Sequence, residues 1–547
     1  MKKTILIITL SLCFTNSKAQ SALATSILTN ISELKNFAGN DSYVYVRGYN
    51  SPDDGGGGLF KSEFSNLGEN DGTVFNMNGY PNKKWIRVNN SGDINVKWFG
   101  ATGVDTDDNT NEIQKAIYEA QLSRKSVYLP KGEYRITNSL KINTSYKLDS
   151  IGNTIPTITR TLNIRGEEKT HSVIRGDFEG VIFNLKMPDK HTMNNMVIKN
   201  LTLMDHEPTD TNLVNGIEIK YNQKASIDNI IFRNLRFDIL AESFWSSSIK
   251  NCVSRLRTKN PNFKNRYRFK RQCNDLLIEK CVLSNSIIHD DYLVAIIGAS
   301  SSITFSSCTF EFGRGLVIDN REETPLTNIS FLGCYWEWLQ FEAIGINNVA
   351  NVRGINITNN YFNAITESTT CKNNIVRERY EPNFAIVLGG IKGMTVTDSY
   401  FVNWWKNPIY NSGFAEGINI NMCTWKTMDK IRIQDQYACS IDPKYSPNTV
   451  DNPDYPIINS IPLNSMVFNP TSERGNYGDL NMNSFNVESL KVVKSSDNNK
   501  LRFSIPPSNG NWNQGDIIYN NSPLPGNYIG WVYINGAWNG FGLIENK

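Results

Sequence analysis

The stretches Ile303-Thr304-Phe305-Ser306-Ser307-Cys308-Thr309-Phe310 and Ile329-Ser330-Phe331-Leu332-Gly333-Cys334-Tyr335-Trp336 are two copies of one octad. Its pattern is apolar, any, apolar, any, small or polar, variable, any, apolar. It recurs at Ile230–Phe237, Leu276–Leu283, Ile355–Phe362 and Met394–Phe401. The sixth positions are Leu235, Cys281, Cys308, Cys334, Asn360 and Ser399, and the steps from Cys281 to Cys308, Cys334 and Asn360 are 27, 26 and 26 residues. A fixed period of that size in short β-branched runs is the signature of a solenoid with one coil per repeat. Stacked coils rise about 4.8 Å, so equivalent side chains fall into columns. Cys252, 29 residues before Cys281, is read as the start of the cysteine column. Side chains pointing the same way in a column have poor dihedral geometry for a disulfide, so free buried thiols are expected. No Cys-x-x-Cys or histidine spacing accompanies them, which argues against a metal there.

Working outward, the composition agrees: 547 residues with 38 Gly and 20% charge suit turn-rich β structure better than a helical bundle. The chain opens with Lys2 and Lys3, an apolar run from Thr4 to Phe14, and Ser17 and Ala19 at the spacing a signal peptidase reads. Residues 1–19 are therefore expected to be a signal peptide cleaved after Ala19. Leu12 stands before Cys13 where a lipoprotein site needs a small residue. No later stretch reaches about 18 uninterrupted apolar residues, so no membrane span is expected and the mature chain is placed in the extracellular space or periplasm. Three of the 56 basic residues lie in the leader, which leaves 53 against 53 acids. Attraction for an anion must then come from local clustering and not from net charge.

Three regions follow the leader. Residues 20–92 carry short strand-like runs and read as a small N-terminal β-module. Within it, Ser51-Pro52-Asp53-Asp54-Gly55-Gly56-Gly57-Gly58-Leu59-Phe60 lacks the Gly-Lys-Ser/Thr of a phosphate loop and is read as a flexible turn. Residues 93–445 carry the repeats, and residues 446–547 read as a linker and a C-terminal β-module in which Trp531 and Trp538 serve either sugar stacking or the module's own core. The repeat region opens with Asp93-Ile94-Asn95-Val96-Lys97-Trp98-Phe99-Gly100-Ala101. A helix follows, capped by Asn109 or Thr110 and striped with Ile113, Ala116, Ile117 and Ala120, and then the strand pair Val127-Tyr128-Leu129-Pro130-Lys131-Gly132-Glu133-Tyr134-Arg135-Ile136. One helix ahead of so much β structure would cover the open end of the first coil.

The run from Asp93 to Ile136 resembles the opening of the pectate-lyase-like and polygalacturonase-like superfamily, with its aspartate-rich turn, capping helix and Leu-Pro-x-Gly strand pair. The resemblance implies an all-β chain built on a right-handed parallel β-helix with an N-terminal capping helix. It also implies a polysaccharide as partner, because the superfamily contains lyases, hydrolases and phage tailspikes. The end of the chain resembles a small β-module of phage tail-like and secreted carbohydrate-active proteins.

A solenoid binds along one face, so chemistry should come from equivalent positions on neighbouring coils. Glu311 and Glu337 each lie three residues past a sixth octad position and should stand side by side. Two carboxylates one coil apart suit glycoside hydrolysis, at about 5 Å for retention or, diagonally, about 6.5–9.5 Å for inversion; the alternative is a pair of solvated turn acids. His289-Asp290-Asp291 loosely resembles the aspartate pairs of polygalacturonase-like hydrolases, although the asparagine-threonine-aspartate, glycine-histidine-glycine and arginine-x-lysine motifs of that family are absent. Arg314 and Asp319-Asn320-Arg321 follow one coil later, where Arg314 and Arg321 would pair with an anionic substrate. Trp336 and Trp338 flank Glu337 and are counted as sugar contacts.

Between Cys252 and Cys273 lie Arg255, Arg257, Lys259, Lys264, Arg266, Arg268, Lys270 and Arg271 with no acid among them. With Phe263, Tyr267 and Phe269 interleaved, Arg266, Arg268, Lys270 and Arg271 are read as the seat of a sulfated or uronic-acid glycan; the alternative is a solvated excursion between coils. Nucleic acid is disfavoured for an exported chain. The expected function is depolymerisation of an extracellular anionic polysaccharide by an endo-acting hydrolase, with no cofactor and no metal. The alternatives are a lyase, with Arg268, Lys270, Arg314 or His289 as base and Ca2+ entering to neutralise a uronate, and a non-catalytic glycan-binding or tail-fibre-like adhesin.

Overall fold

The computed structural model describes residues 26–37, 41–142, 146–148, 154–156, 161–187, 192–205, 213–256, 266–285, 292–339, 342–347, 351–363, 385–404, 409–411, 415–421, 424–427, 457–459, 466–469, 490–491, 502–503, 505–506, 512, 514–520 and 523–545. The expected leader lies outside them. The chain forms two compact units, Met1–Leu235 and Arg236–Lys547. No helix among the described residues is long and apolar enough to cross a membrane.

The first unit begins with a five-stranded sheet made of Ser26–Leu28, Tyr43–Val46, Gly58–Phe64, Tyr80–Arg87 and Val74–Met77 in that spatial order. Alternation along these strands sends Val44, Val46, Phe60, Phe75 and Trp85 into one core with Leu34 of the short helix Ile31–Asn36. The four-glycine segment is pinned and not the expected flexible turn. The Asp54 carboxylate accepts backbone N–H groups of Tyr49, Asn50, Ser51 and Gly56. The buried Arg87 guanidinium donates to the carbonyls of Gly56, Gly57 and Gly72. Burial pulls that guanidinium down to about 9.

The helix Thr110–Ser123 buries Ile113, Ala116, Ile117 and Ala120, the stripe read from the sequence. Its first turn is held differently from expectation. Asn109 makes no side-chain cap, and Asp108 Oδ1 accepts the Thr110 N–H while Asn109 Oδ1 accepts that of Thr102. Parallel strands stack behind it, and one inward column runs Ile94, Val127, Ile164, Ile198, Ile227.

The second unit is also a parallel β-helix, right-handed as crossovers between parallel strands are, and its coils turn through three faces. One face stacks Asn274–Glu279, Ser301–Ser306, Leu326–Leu332, Val352–Thr358, Ile391–Thr397, Ala415–Asn421 and Met466–Asn469. The next stacks Val253–Leu256, Val282–Asn285, the start of Thr309–Asp319, Tyr335–Leu339, Tyr361–Asn363, Tyr400–Trp404 and Thr424–Thr427. The third stacks Tyr267–Lys270, Tyr292–Ile297, the end of Thr309–Asp319, Ile344–Ile346, Ile386–Leu388, Ile409–Asn411 and Ile457–Asn459. The boundary expected at residue 445 falls inside this ladder, which continues to Leu490–Lys491.

The octad maps onto this geometry position by position. Its first and third residues line the core in columns such as Ile278, Phe305, Phe331, Ile357, Val396. Its fifth residue is the corner: Asn234, Lys280, Ser307, Gly333, Asn359 and Asp398 all have φ between 49° and 60°, a region short polar residues and glycine tolerate best. Its sixth residue hydrogen-bonds one coil back, where the Sγ of Cys281, Cys308 and Cys334 and the Asn360 Nδ2 donate to the carbonyls of Ile249, Ile278, Phe305 and Phe331. Cys252, Cys273, Cys281, Cys308 and Cys334 are free buried thiols, as expected. The eighth residues stack inside as Phe310, Trp336, Phe362 and Phe401, with centroids 3.9, 5.6 and 4.7 Å apart. A four-stranded sheet of Arg502–Phe503, Ile517–Asn520, Tyr528–Ile534 and Ala537–Leu543 follows, in which Trp538 packs edge-on against Trp512 and Tyr533.

Candidate active site on the outer face of the coils

Alternation on the second face decides what meets solvent. Phe310, Trp336 and Phe362 point inward, so the residues immediately before and after each point outward, in two columns. One runs Arg255, Ser284, Glu311, Glu337, Asn363; the other runs Val253, Val282, Thr309, Tyr335, Tyr361, Tyr400. Glu311 and Glu337 are direct register partners on adjacent coils.

Each carboxylate is held differently. Glu311 is half-buried, and burial together with the charge of Glu337 pushes its carboxyl above the ordinary value, while a hydrogen bond from Ser284 and the charge of Arg255 pull the other way. Glu337 accepts a hydrogen bond from Asn363 Nδ2 at 3.0 Å. It also accepts one from the Tyr335 phenol, which burial and the Glu337 charge push up to about 12.

Around the corner made by Phe312, at φ 55°, the same strand delivers Arg314 to the third face. The Arg314 guanidinium lies 4.3 Å over the Tyr292 ring and donates to Glu342 Oε1 at 2.9 Å, and the Tyr292 hydroxyl donates to the same oxygen at 2.5 Å.

Several expected contacts are placed elsewhere. Trp336 is enclosed between Phe310 and Phe362, with its indole N–H donating to Asn360, so it is a core residue and not a sugar contact. Arg266 is fully buried at 3.5 Å from an equally buried Asp238, and Tyr267 and Phe269 point into the core, so these three leave the expected binding surface. Arg268 and Lys270 stand on the outer side of their strand. Arg271 pairs with Glu322 at 2.5 Å and Arg321 with Asp319 at 3.0 Å. His289, Asp290, Asp291, Phe263 and the side chain of Trp338 lie outside the described residues. Among the described residues no group of three His, Cys, Asp or Glu could hold a metal ion.

Sequence reading missed Asn363, although it lies three residues past Asn360, the offset that selects Glu311 and Glu337. It also missed the tyrosine column, which fills the seventh octad position in three repeats. Glu342 lies just before Ile344–Ile346, in a part of the coil that the octad does not cover, and gave no signal.

A parallel β-helix with an outward carboxylate column defines the structural class. Residues 93–336 match the family described as rhamnogalacturonase A/epimerase, pectate lyase-like, and the match opens on the Asp93 that begins the resemblance. Residues 27–90 match the phage tail protein small four-stranded β-sheet domain. Among solved structures, the tailspike gp42 of Acinetobacter phage vb_AbaP_AS12 is 14% identical over 73% of this chain and 69% of its own, at a TM-score of 0.52. The A-module of the mannuronan C-5 epimerase AlgE4 of Azotobacter vinelandii is 13% identical over 76% of this chain and 99% of its own, at 0.49. No curated protein matches the chain. Residues 93–336 thus carry a pectate-lyase-like domain, and the tailspike gp42 shares its fold with this chain.

Proposed function

We propose that this chain is an exported depolymerase that hydrolyses an extracellular polysaccharide, with Glu311 as proton donor and Glu337 as its partner carboxylate. The observation that carries the reading is the register pairing of Glu311 with Glu337 on an outward face. Two carboxyl groups whose surroundings differ are the requirement for acid and base work at one linkage. Glu311, raised by burial and by its charged neighbour, holds its proton longer and is the acid. Glu337, oriented by Asn363 and Tyr335, faces the reacting carbon. Parallel strands about 4.8 Å apart fit the roughly 5 Å separation of retaining enzymes better than the wider inverting one. The family description of residues 93–336 supports a carbohydrate substrate. Arg255, Arg268 and Lys270 favour a sulfated or uronate-bearing one.

A second reading is β-elimination, favoured by the Tyr292, Arg314 and Glu342 cluster, in which a phenol and a guanidinium share one carboxylate oxygen. Incubating the chain with pectic, alginate, carrageenan, ulvan and glycosaminoglycan polymers separates the two. New reducing ends without the ultraviolet absorbance of an unsaturated uronate, lost in Glu311→Gln and Glu337→Gln while affinity holds, support hydrolysis. Absorbance that survives both changes and disappears in Tyr292→Phe transfers the chemistry to the other cluster. Retention without cleavage makes the chain a glycan-binding protein.

A further inference from the structure

The column of phenols beside the carboxylates is longer than the reaction requires. Tyr335, Tyr361 and Tyr400 are register partners on three successive coils, with ring centroids 5.0 and 5.5 Å apart and ring planes 2° and 31° from parallel. Rings stacked along the coil axis turn their faces toward one another. What such a column presents outward is ring edges and phenol oxygens, one per coil, about 4.8 Å apart. Sugar stacking needs an open ring face, and the faces between Tyr335, Tyr361 and Tyr400 are taken up by one another. A row of oxygens that both donate and accept suits hydroxyl-rich sugars instead, and one pyranose of an extended glycan covers roughly one coil rise.

The column is also one-sided. On the coils before Thr309 its positions hold Val282 and Val253, with Ser284 and Arg255 beside them. Beyond Tyr335, whose hydroxyl is engaged with Glu337, the phenols continue through Tyr361 and the more exposed Tyr400.

We propose that Tyr361 and Tyr400 form a hydrogen-bonding rail that holds neutral, hydroxyl-rich sugar residues of a glycan laid parallel to the coil axis, on the side of the Glu311 and Glu337 pair toward the C-terminal coils. The proposal rests on reading that pair as the catalytic centre, and it makes Tyr361 and Tyr400 positioning residues.

Tyr361→Phe, Tyr400→Phe and the double variant keep the ring stack and remove only the oxygens. Affinity for each polymer of the panel above is measured by calorimetry in a Glu311→Gln background, and KM and kcat are measured in the otherwise unaltered enzyme. One lost hydrogen bond corresponds to about a two- to tenfold weaker Kd. The expected result is that weakening at each position, a larger one in the double variant, KM raised to match, kcat unchanged, and no effect on oligosaccharides too short to reach past Tyr335. Unchanged Kd and KM on long polymers overturn the rail, as does a chain that binds none of the panel. A melting temperature lowered by the Phe changes with affinity intact makes the column packing only. Full turnover in Glu311→Gln and Glu337→Gln would remove the catalytic reading, whereas weaker binding in the Phe variants would still uphold the rail.

Discussion

Glu311 shows how one carboxyl is tuned by its column. Burial and the Glu337 charge raise its pKa, and the Ser284 hydroxyl and the Arg255 charge lower it. A general acid contributes only while protonated, so its contribution is lost as pH rises through that pKa, which appears as the basic limb of kcat/KM. Ser284→Ala and Arg255→Met each remove an influence that favours the ionised form. Both variants are therefore expected to move the basic limb to higher pH, Ser284→Ala the further, since its hydrogen bond outweighs the more distant charge. Profiles of kcat/KM against pH for the three proteins check this. A limb that stays in place in both variants belongs to another group, and Glu311 is then not the proton donor.

At the scale of the element, the coil imposes a buried charge that its sequence neighbourhood conceals. Asp238 and Arg266 lie on adjacent coils, with Asp238 and Ile239 donating their backbone N–H to the Arg266 carbonyl, and both side chains are fully enclosed. Burial lifts Asp238 from its ordinary 3.8 to about 6 against the attraction of Arg266. Because the folded pKa is the higher one, this group's contribution to stability is complete below about 4 and is lost as pH rises through about 6. Arg266→Met should cost about 3–5 kcal/mol at neutral pH by leaving the buried carboxylate without its cation. The cost should shrink in mild acid, where the carboxyl is neutral. Asp238→Leu with Arg266→Met should be close to neutral in stability. Thermal unfolding of the three proteins at neutral and mildly acid pH checks this, and an Arg266→Met melting point that fails to recover in acid contradicts it. The pair also shows what the sequence concealed. Eight basic residues between Cys252 and Cys273 without an acid look like a surface, yet strand alternation sends Arg266, Tyr267 and Phe269 inward. Trp336 was read as a sugar contact, although its place at the apolar eighth position of the octad marks it as core. The coil period, the thiol column and the Glu311 and Glu337 pairing could all be read from spacing, since they depend on register alone. The left-handed corner at the fifth position could not, because Lys280 occupies it as readily as Gly333 or Asn359.

For the whole molecule the question is how far charge guides a polyanion onto the coils. The chain without its expected leader balances 53 basic against 53 acidic residues, so no net field steers an anionic glycan from a distance. Locally, two members of the basic cluster and two later arginines are spent on protein partners: Arg266 on Asp238 and Arg271 on Glu322, then Arg314 on Glu342 and Arg321 on Asp319. Arg255, Arg268 and Lys270 remain on outer faces, the first in the carboxylate column and the others on the face around the corner. Exposed ion pairs contribute about 0–1 kcal/mol each, and such charges are screened beyond roughly 8 Å at physiological ionic strength. Changing all three residues to Ala should therefore weaken binding of a sulfated or uronate polymer by no more than about 3 kcal/mol. Raising salt from low to several times physiological ionic strength should weaken the unaltered chain by no more than about two powers of ten, at 1.4 kcal/mol for each. The triple variant should lose most of that salt dependence while keeping the hydrogen-bonded part of its affinity. Calorimetric titration of both proteins across a salt series measures the two slopes. Equal slopes would show that these three side chains do not meet the glycan's charges. A steep slope retained in the variant would move the anion contact to the other basic residues between Cys252 and Cys273.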